Sequence, residues 1–343
     1  MLCPIPLADY PEITLAHGGG GRLMHELIER MFAASFAPAS GAARADSAIL
    51  ALPGERLAFT TDSYVVQPLV FPGGDIARLA VFGTCNDLAV CGAEPRYLSV
   101  AMVLEEGLPM ATLWQLCQSL ARAATEAGVA VVTGDTKVVE RGKGDGIYLT
   151  TSGIGRLRAG LHPDAALVQP GDAVLVSGDI GRHGIAVLAA RDEFSIITDL
   201  QSDLALLWPA VAGLHAAGID LHWMRDATRG GLATVLVELA EATGLGVRID
   251  ESSVPISPAV AAACELFGFD PLYVANEGCM AIVLPAAQAE AALRVLHDLP
   301  GHGAAALIGG MTARGVAPVI ARSPAGGQRV LRRLSGEQLP RIC

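Results

Sequence analysis

Four short segments put an aspartate at a turn or strand end inside otherwise apolar sequence: Ala45-Asp46-Ser47, Thr60-Thr61-Asp62-Ser63, Cys85-Asn86-Asp87-Leu88 and Met224-Arg225-Asp226-Ala227-Thr228-Arg229-Gly230-Gly231. A carboxylate in such surroundings is costly unless it caps a helix, pairs with a base or binds a metal. Singly, each fits a cap or a turn, as Asp226 would ahead of a helix from Thr228. Together they are hard oxygen ligands suited to Mg²⁺, which keeps waters and bridges phosphates. A fifth segment, Thr133-Gly134-Asp135-Thr136-Lys137, follows the apolar run Ala130 to Val132. It offers a glycine for close backbone approach, an acid for a metal and a lysine for phosphate charge. The same segment also reads as an ordinary turn after a strand. Neither a Walker A sequence nor a strand-linked GxGxxG occurs, so a nucleotide would need another architecture. His17 leads a glycine run, Gly18 to Gly21, which is a weak sign of a loop that covers phosphates.

The other reactive feature is the final residue, Cys343, in Pro340-Arg341-Ile342-Cys343. It is not a prenylation box, whose cysteine stands four residues from the end. A thiol on a free end can serve as nucleophile or carrier. Arg341 favours its thiolate and the adjacent carboxylate opposes it. The dozen residues from Arg332 lack periodicity and read as a mobile tail, able to extend roughly 40 Å.

The elements that must position these residues form an α+β mixture. A helical pattern runs through Met24, Leu27, Ile28 and Met31. Residues 75–93 and 110–127 read as amphipathic helices, and strands are expected near 47–52, 57–61, 97–104, 130–133 and 147–154. After about residue 160 the pattern restarts. Strands are expected at 173–177, 246–250, 280–284 and 305–308. Helices are expected at 183–191, 203–217, about 228–243, 257–267 and 286–298. A length of 343 residues suits two domains, divided as 1–158 and 159–330 with a tail of 331–343.

Bulk properties narrow the function. Hydrophobic residues make up 52% and charged residues 17%, enough for real cores. A net charge of −11 disfavours nucleic acid and anionic membrane surfaces as partners. With no membrane-length apolar run, no signal-peptide pattern and seven cysteines without a CxxC pair, a cytoplasmic location is expected. Cys85, Cys91, Cys117 and Cys264 read as small core residues.

Taken together, TTDSYVV, CNDLAVCGAEP, TGDTKVV, RDATRGGL, NEGCM and the terminal PRIC resemble the HypE family of hydrogenase maturation proteins, the carbamoyl dehydratases. The wider superfamily includes aminoimidazole ribonucleotide (AIR) synthetase, selenophosphate synthetase and thiamine-monophosphate kinase. The resemblance implies a two-domain AIR-synthetase-like fold, with N-terminal sheets pairing across a homodimer and a C-terminal α/β sandwich. It implies ATP and Mg²⁺ as cofactors. HypF would carbamoylate Cys343, ATP would drive dehydration of that group to a thiocyanate, and the cyanide would pass to iron on a HypC–HypD complex. By motif, Asp46, Asp62, Asp87 and Asp226 become metal ligands, with Asp62 close to the phosphates. Asp62, Asn86, Gly134, Asp135, Thr136 and Lys137 would bind nucleotide. Asn276 and Glu277 would lie near the incoming tail. Glu277 is the expected base and His17 a weaker candidate, with Lys137 stabilising phosphoryl charge. Relatives often carry Gly-Gly-Asp-Thr where this chain has Thr133 first. Selenophosphate synthetase would need a cysteine and lysine in the N-terminal glycine-rich region; Cys3 lies well before it, without a lysine. A non-catalytic scaffold would have no need of this complete acidic set.

Overall fold

The computed structural model describes residues 21–27, 48–52, 55–191, 198–315, 317–334 and 341–343. His17, Asp46, Cys3 and the helical pattern beyond Leu27 lie outside the described residues.

The N-terminal half is built on a five-stranded sheet of order β1-β2-β7-β5-β6, formed by β1 (Ala48–Leu52), β2 (Glu55–Tyr64), β5 (Ala93–Glu105), β6 (Ala130–Val139) and β7 (Ile147–Leu157). A small hairpin, β3 (Val70–Phe71) with β4 (Gly74–Asp75), stands apart from it. A short helix α1 (Arg22–Leu27) precedes the sheet. One face of the sheet is covered by α2 (Ile76–Val90) and α3 (Met110–Ala127), and α3 is the crossover between the parallel strands β5 and β6. The carboxylate of Asp75 caps α2, accepting from Ala77 N and Arg78 N at 2.9 Å. The expectation of an amphipathic helix fails for α2, which is buried nearly all round. It lies between the sheet and the C-terminal half, and Ala89 and Val90 enter that half's core.

The C-terminal half holds a seven-stranded sheet of order β14-β13-β10-β12-β8-β11-β9. Its strands are β8 (Ala173–Val176), β9 (Trp223–Asp226), β10 (Gly246–Asp250), β11 (Met280–Leu284), β12 (Ala306–Thr312), β13 (Val319–Arg322) and β14 (Gln328–Leu331). Its helices are α4 (Arg182–Ala189), α5 (Trp208–Ala216), α6 (Gly231–Thr243), α7 (Pro258–Phe267) and α8 (Ala289–His297). Both faces of β8 and β11 are buried. Leu175, Ile282 and Leu284 pack with α5 and α8, while Val174, Ala281 and Val283 pack with α6. This accounts for the unbroken apolar runs of these strands, because covered faces leave no position for a polar residue. The expected helix at 203–217 begins only at Trp208, and residues 198–207 form a non-helical segment that reaches the N-terminal half. Among the described residues, no helix is long and apolar enough to cross a membrane.

Candidate active site

Strand β2 alternates. Thr60, Asp62 and Tyr64 point to the helix-covered face, while Phe59, Thr61 and Ser63 point to the open one. Thr60 Oγ1 donates to Asp87 Oδ2 at 2.9 Å, tying β2 to α2. Asp62 accepts from Ser63 N at 2.8 Å, but burial outweighs that bond and raises its carboxyl above the usual range.

Asp226 ends β9 and is buried beside β11, in register with Met280. After it, Thr228-Arg229-Gly230-Gly231 turns into α6, with φ of +86° at Gly230 and +63° at Gly231. A Cβ on Gly231 would meet the backbone of Leu272, Tyr273 and Val274 at 2.6 to 2.8 Å, so that turn requires glycine. Glu277 precedes β11 and is 3% exposed. Its Oε1 is buried without a hydrogen-bond partner. Burial first, then the charges of Asp226, Asp203 and Asp62, push its carboxyl well above the usual range, against the opposing Arg229 guanidinium. Asp203 accepts from Glu277 N at 3.1 Å and Gly278 N at 2.9 Å, and burial raises its carboxyl to about 6.

The end of the chain occupies this pocket within its own subunit. Arg229 donates to the Cys343 thiol from Nε at 3.3 Å and Nη2 at 3.1 Å, and to an oxygen of its terminal carboxylate at 3.2 Å. Val65 N donates to Cys343 O at 3.3 Å, and Gln67 N to Arg341 O at 3.1 Å. Arg191 Nη2 also reaches Arg341 O at 2.9 Å, and His183 Nε2 reaches Ile342 O at 2.5 Å. Ile342 is 5% exposed and belongs to the same apolar cluster as Tyr64, Phe71 and Ile185. Arg341 does not approach the thiol; it pairs with Asp145 at 2.9 Å. The cation beside sulfur is Arg229. Burial wins over it, with Glu277 and Asp62 adding to the effect, and the thiol is pushed up to about 11. A docked Cys343 is therefore a protonated thiol at neutral pH.

The structure does not bring every expected residue to this pocket. Asn86 donates to Ala205 O at 2.9 Å and Glu277 O at 3.2 Å, and accepts from Leu207 N at 2.8 Å. Its amide is a brace between the two halves. Asn276 likewise accepts from Gly181 N at 2.6 Å and donates to Ala227 O at 2.7 Å. The Thr133–Lys137 segment is not a turn, because β6 runs through it. Gly134 meets protein rather than leaving room for a ligand: a Cβ there would lie 2.3 Å from Val100 O, beside a register shift. The register Asp62–Thr151–Val100–Gly134 crosses three strand spacings, about 14 Å. Asp135 shares its row with Ser63, so it stands on the open face with Lys137. The two pair at 2.8 Å in solvent.

Arg229, Asp203 and His183 escaped the sequence reading as site residues. Arg229 lies inside a quoted motif, and an arginine within an acidic, apolar motif was an available signal. Asp203 and His183 stand in segments without one.

Among the described residues, no group of three or more His, Cys, Asp or Glu is arranged to hold a metal ion alone. The pocket nonetheless sets Asp62 and Asp226 close enough to Glu277 for their charges to act on it, and Glu277 Oε1 is buried without a partner. A hard cation held by one or two carboxylates and by phosphates fits that set of oxygen donors.

Comparison with known proteins agrees with this architecture. The chain matches the AIR synthase related protein family, in its N-terminal domain over residues 44–157 and its C-terminal domain over 169–321. It is 48% identical over 333 residues to the carbamoyl dehydratase HypE of Rhodobacter capsulatus, covering 96% of this chain and 98% of that protein. HypE in a crystal structure of a HypE–HypF complex superposes with a TM-score of 0.84 at 42% identity, covering 90% of this chain and 99% of that one. HypE crystallised in complex with ATP superposes with a TM-score of 0.81 at 44% identity, covering 97% and 100%. On near-complete coverage at this identity, with both domains matched, the chain belongs to the HypE family of AIR synthase related proteins.

Proposed function

We propose that this protein is an ATP-dependent carbamoyl dehydratase acting on its own end: an S-carbamoyl group on Cys343 is converted to a thiocyanate, the source of a cyanide ligand for [NiFe]-hydrogenase iron. The observation that carries this reading is the seating of the Cys343 thiol between Arg229 and the buried carboxylates of Glu277 and Asp62. A pocket that holds this thiol protonated is poor at making it a nucleophile and well suited to a group already on sulfur.

The overall change removes the amide oxygen and both N–H protons from the carboxamide, leaving C≡N on sulfur. When bound, ATP supplies the phosphoryl group that makes the amide oxygen a leaving group, and Mg²⁺ offsets phosphate charge. Asp62, Asp87 and Asp226 are the described residues that would hold the metal, with Asp46 as the further expected ligand. Arg229 holds both the sulfur and the adjacent terminal carboxylate, and so would position a group carried on that sulfur. Glu277, raised and without a partner on Oε1, is suited to take a proton from the amide nitrogen. The Ile342 side chain plugs the apolar wall behind the thiol and limits water.

The open sheet face supports a homodimer. Phe59, Ile154 and Tyr97 form one exposed row across β2, β7 and β5, and the edge strand β6 exposes Val132 and Val138. An exposed apolar row beside a long unpaired edge is stable in solution when another surface covers it. A second copy meeting face to face would enclose Asp135 and Lys137, which is how these two residues would come to serve nucleotide; Gly134, packed against Val100 O, would not. HypF as carbamoyl donor and HypC–HypD as cyanide acceptor complete the proposal.

The test is mass spectrometry of the C-terminal peptide after incubation with HypF, carbamoyl phosphate and Mg-ATP. A carbamoyl adduct on Cys343 that loses one water only with ATP is expected, and Cys343→Ser should show neither species. An unmodified Cys343 beside demonstrably active HypF would overturn the proposal.

A further inference from the structure

His183 is fully buried on α4, and the mechanism above leaves it unused. Its Nε2 faces the Ile342 carbonyl oxygen at 2.5 Å, and that oxygen can only accept, so Nε2 carries the proton. Burial pushes the imidazole down to about 4, which keeps it neutral, so Nδ1 is an acceptor. Facing Nδ1 at 2.8 Å is Ser202 Oγ, which must donate there. Ser202 Oγ in turn accepts from Leu204 N at 3.1 Å. Each group in the row therefore has one allowed role: Leu204 N–H to Ser202 O–H, to His183, to the Ile342 carbonyl. Phe71 packs edge-on against the ring with centroids 5.3 Å apart, which limits its rotation.

The residue between Ser202 and Leu204 is Asp203, which holds the backbone N–H groups of Glu277 and Gly278. One short segment thus touches the docked end through His183 and the Glu277 backbone through Asp203. We infer that His183 and Ser202 are positioning residues that latch the C-terminal segment into the site by this directed relay, on the segment that also braces Glu277. The inference rests on the reading of Cys343 as the reacting end, but the latch can be measured without catalysis.

The experiment uses the full chain without nucleotide and follows the rate at which N-ethylmaleimide modifies Cys343, read on the C-terminal peptide. Docking shields the thiol, so labelling reports the undocked fraction. His183→Leu leaves the Ile342 carbonyl without its donor and should raise the rate about tenfold or more. His183→Gln, whose amide can donate from nearly the same place, should return it toward the parent. Ser202→Ala should also raise the rate, because Nδ1 loses its donor and the ring loses the bond that fixes its orientation toward the Ile342 carbonyl. This variant carries the test if His183→Leu does not fold. A parental rate in the folded His183→Leu or Ser202→Ala chain would overturn the latch. So would a His183→Gln chain that labels as fast as His183→Leu. Failure of the dehydration assay with intact shielding would count against the proposed reaction and leave the latch standing.

Discussion

At the docked end, Asp62, Asp203 and Glu277 sit out of water, with Arg229 acting on Asp62 and Glu277 and Arg182 on Asp203, and all three carboxyls are raised. On β6, Asp135 and Lys137 pair in solvent, and that lysine together with the Thr136 N–H lowers the Asp135 carboxyl. The residue types are the same, acid with base, and the shifts are opposite. In the pocket, desolvation exceeds what the guanidiniums and backbone N–H groups return, with like charge adding to it at Glu277. On the strand, water already solvates both partners. The first cluster is enclosed by a single chain, whereas the second lies on an exposed strand.

That contrast can be broken most sharply at Glu277. Glu277→Gln keeps the volume and removes the base, so dehydration of the carbamoyl group should fall about 10²- to 10⁴-fold, measured by loss of water from the peptide. Stability should move the other way. A carboxyl raised by folding destabilises the native state as pH climbs through the interval between its unfolded and folded values. The Gln variant should therefore melt higher than the parent above neutral pH, and the gap should close below about pH 4. A parent that melts higher at every pH would mean that neither burial nor the neighbouring charges raise this carboxyl. Next comes Arg229→Gln, which removes the donors to sulfur and to the terminal carboxylate of Cys343. Maleimide labelling of Cys343 should accelerate about tenfold or more. The smallest structural effect belongs to Lys137→Ala. Its exposed pair contributes little, so the melting temperature should not change measurably, while ATP turnover should drop. A clear loss of stability would show that β6 is not the open edge described here.

Much of the fold was legible because periodicity reports burial. Strands β8, β10 and β11 fall where apolar runs end in turns, and α3, α6 and α7 fall where apolar residues recur at helical spacing. What escaped was whatever depended on a distant partner. The helix α2 looks amphipathic until both of its sides find a surface. Strands β9, β13 and β14 are four residues each, too short for a period to emerge. In the site, Glu277 and Asp62 came from motifs and lie near Cys343. The role of Asn86 as a brace could not be read, because both of its acceptors and its donor come from segments more than 100 positions away. Asp203 was hidden for the same reason: its partners are Glu277 N and Gly278 N, and nothing around it in sequence announces them.

The docked end has a kinetic consequence. Leu334 is held by Arg22 N, Arg333 by Glu238 and Glu241, and Arg341 by Gln67 and Arg191, so six residues separate one anchored point from the next. A reacting group on so short a tether meets its pocket at an effective concentration in the millimolar range, whatever the protein concentration. A free amide in solution would have to exceed that value to compete. Selectivity for a group carried on this end would come from connectivity.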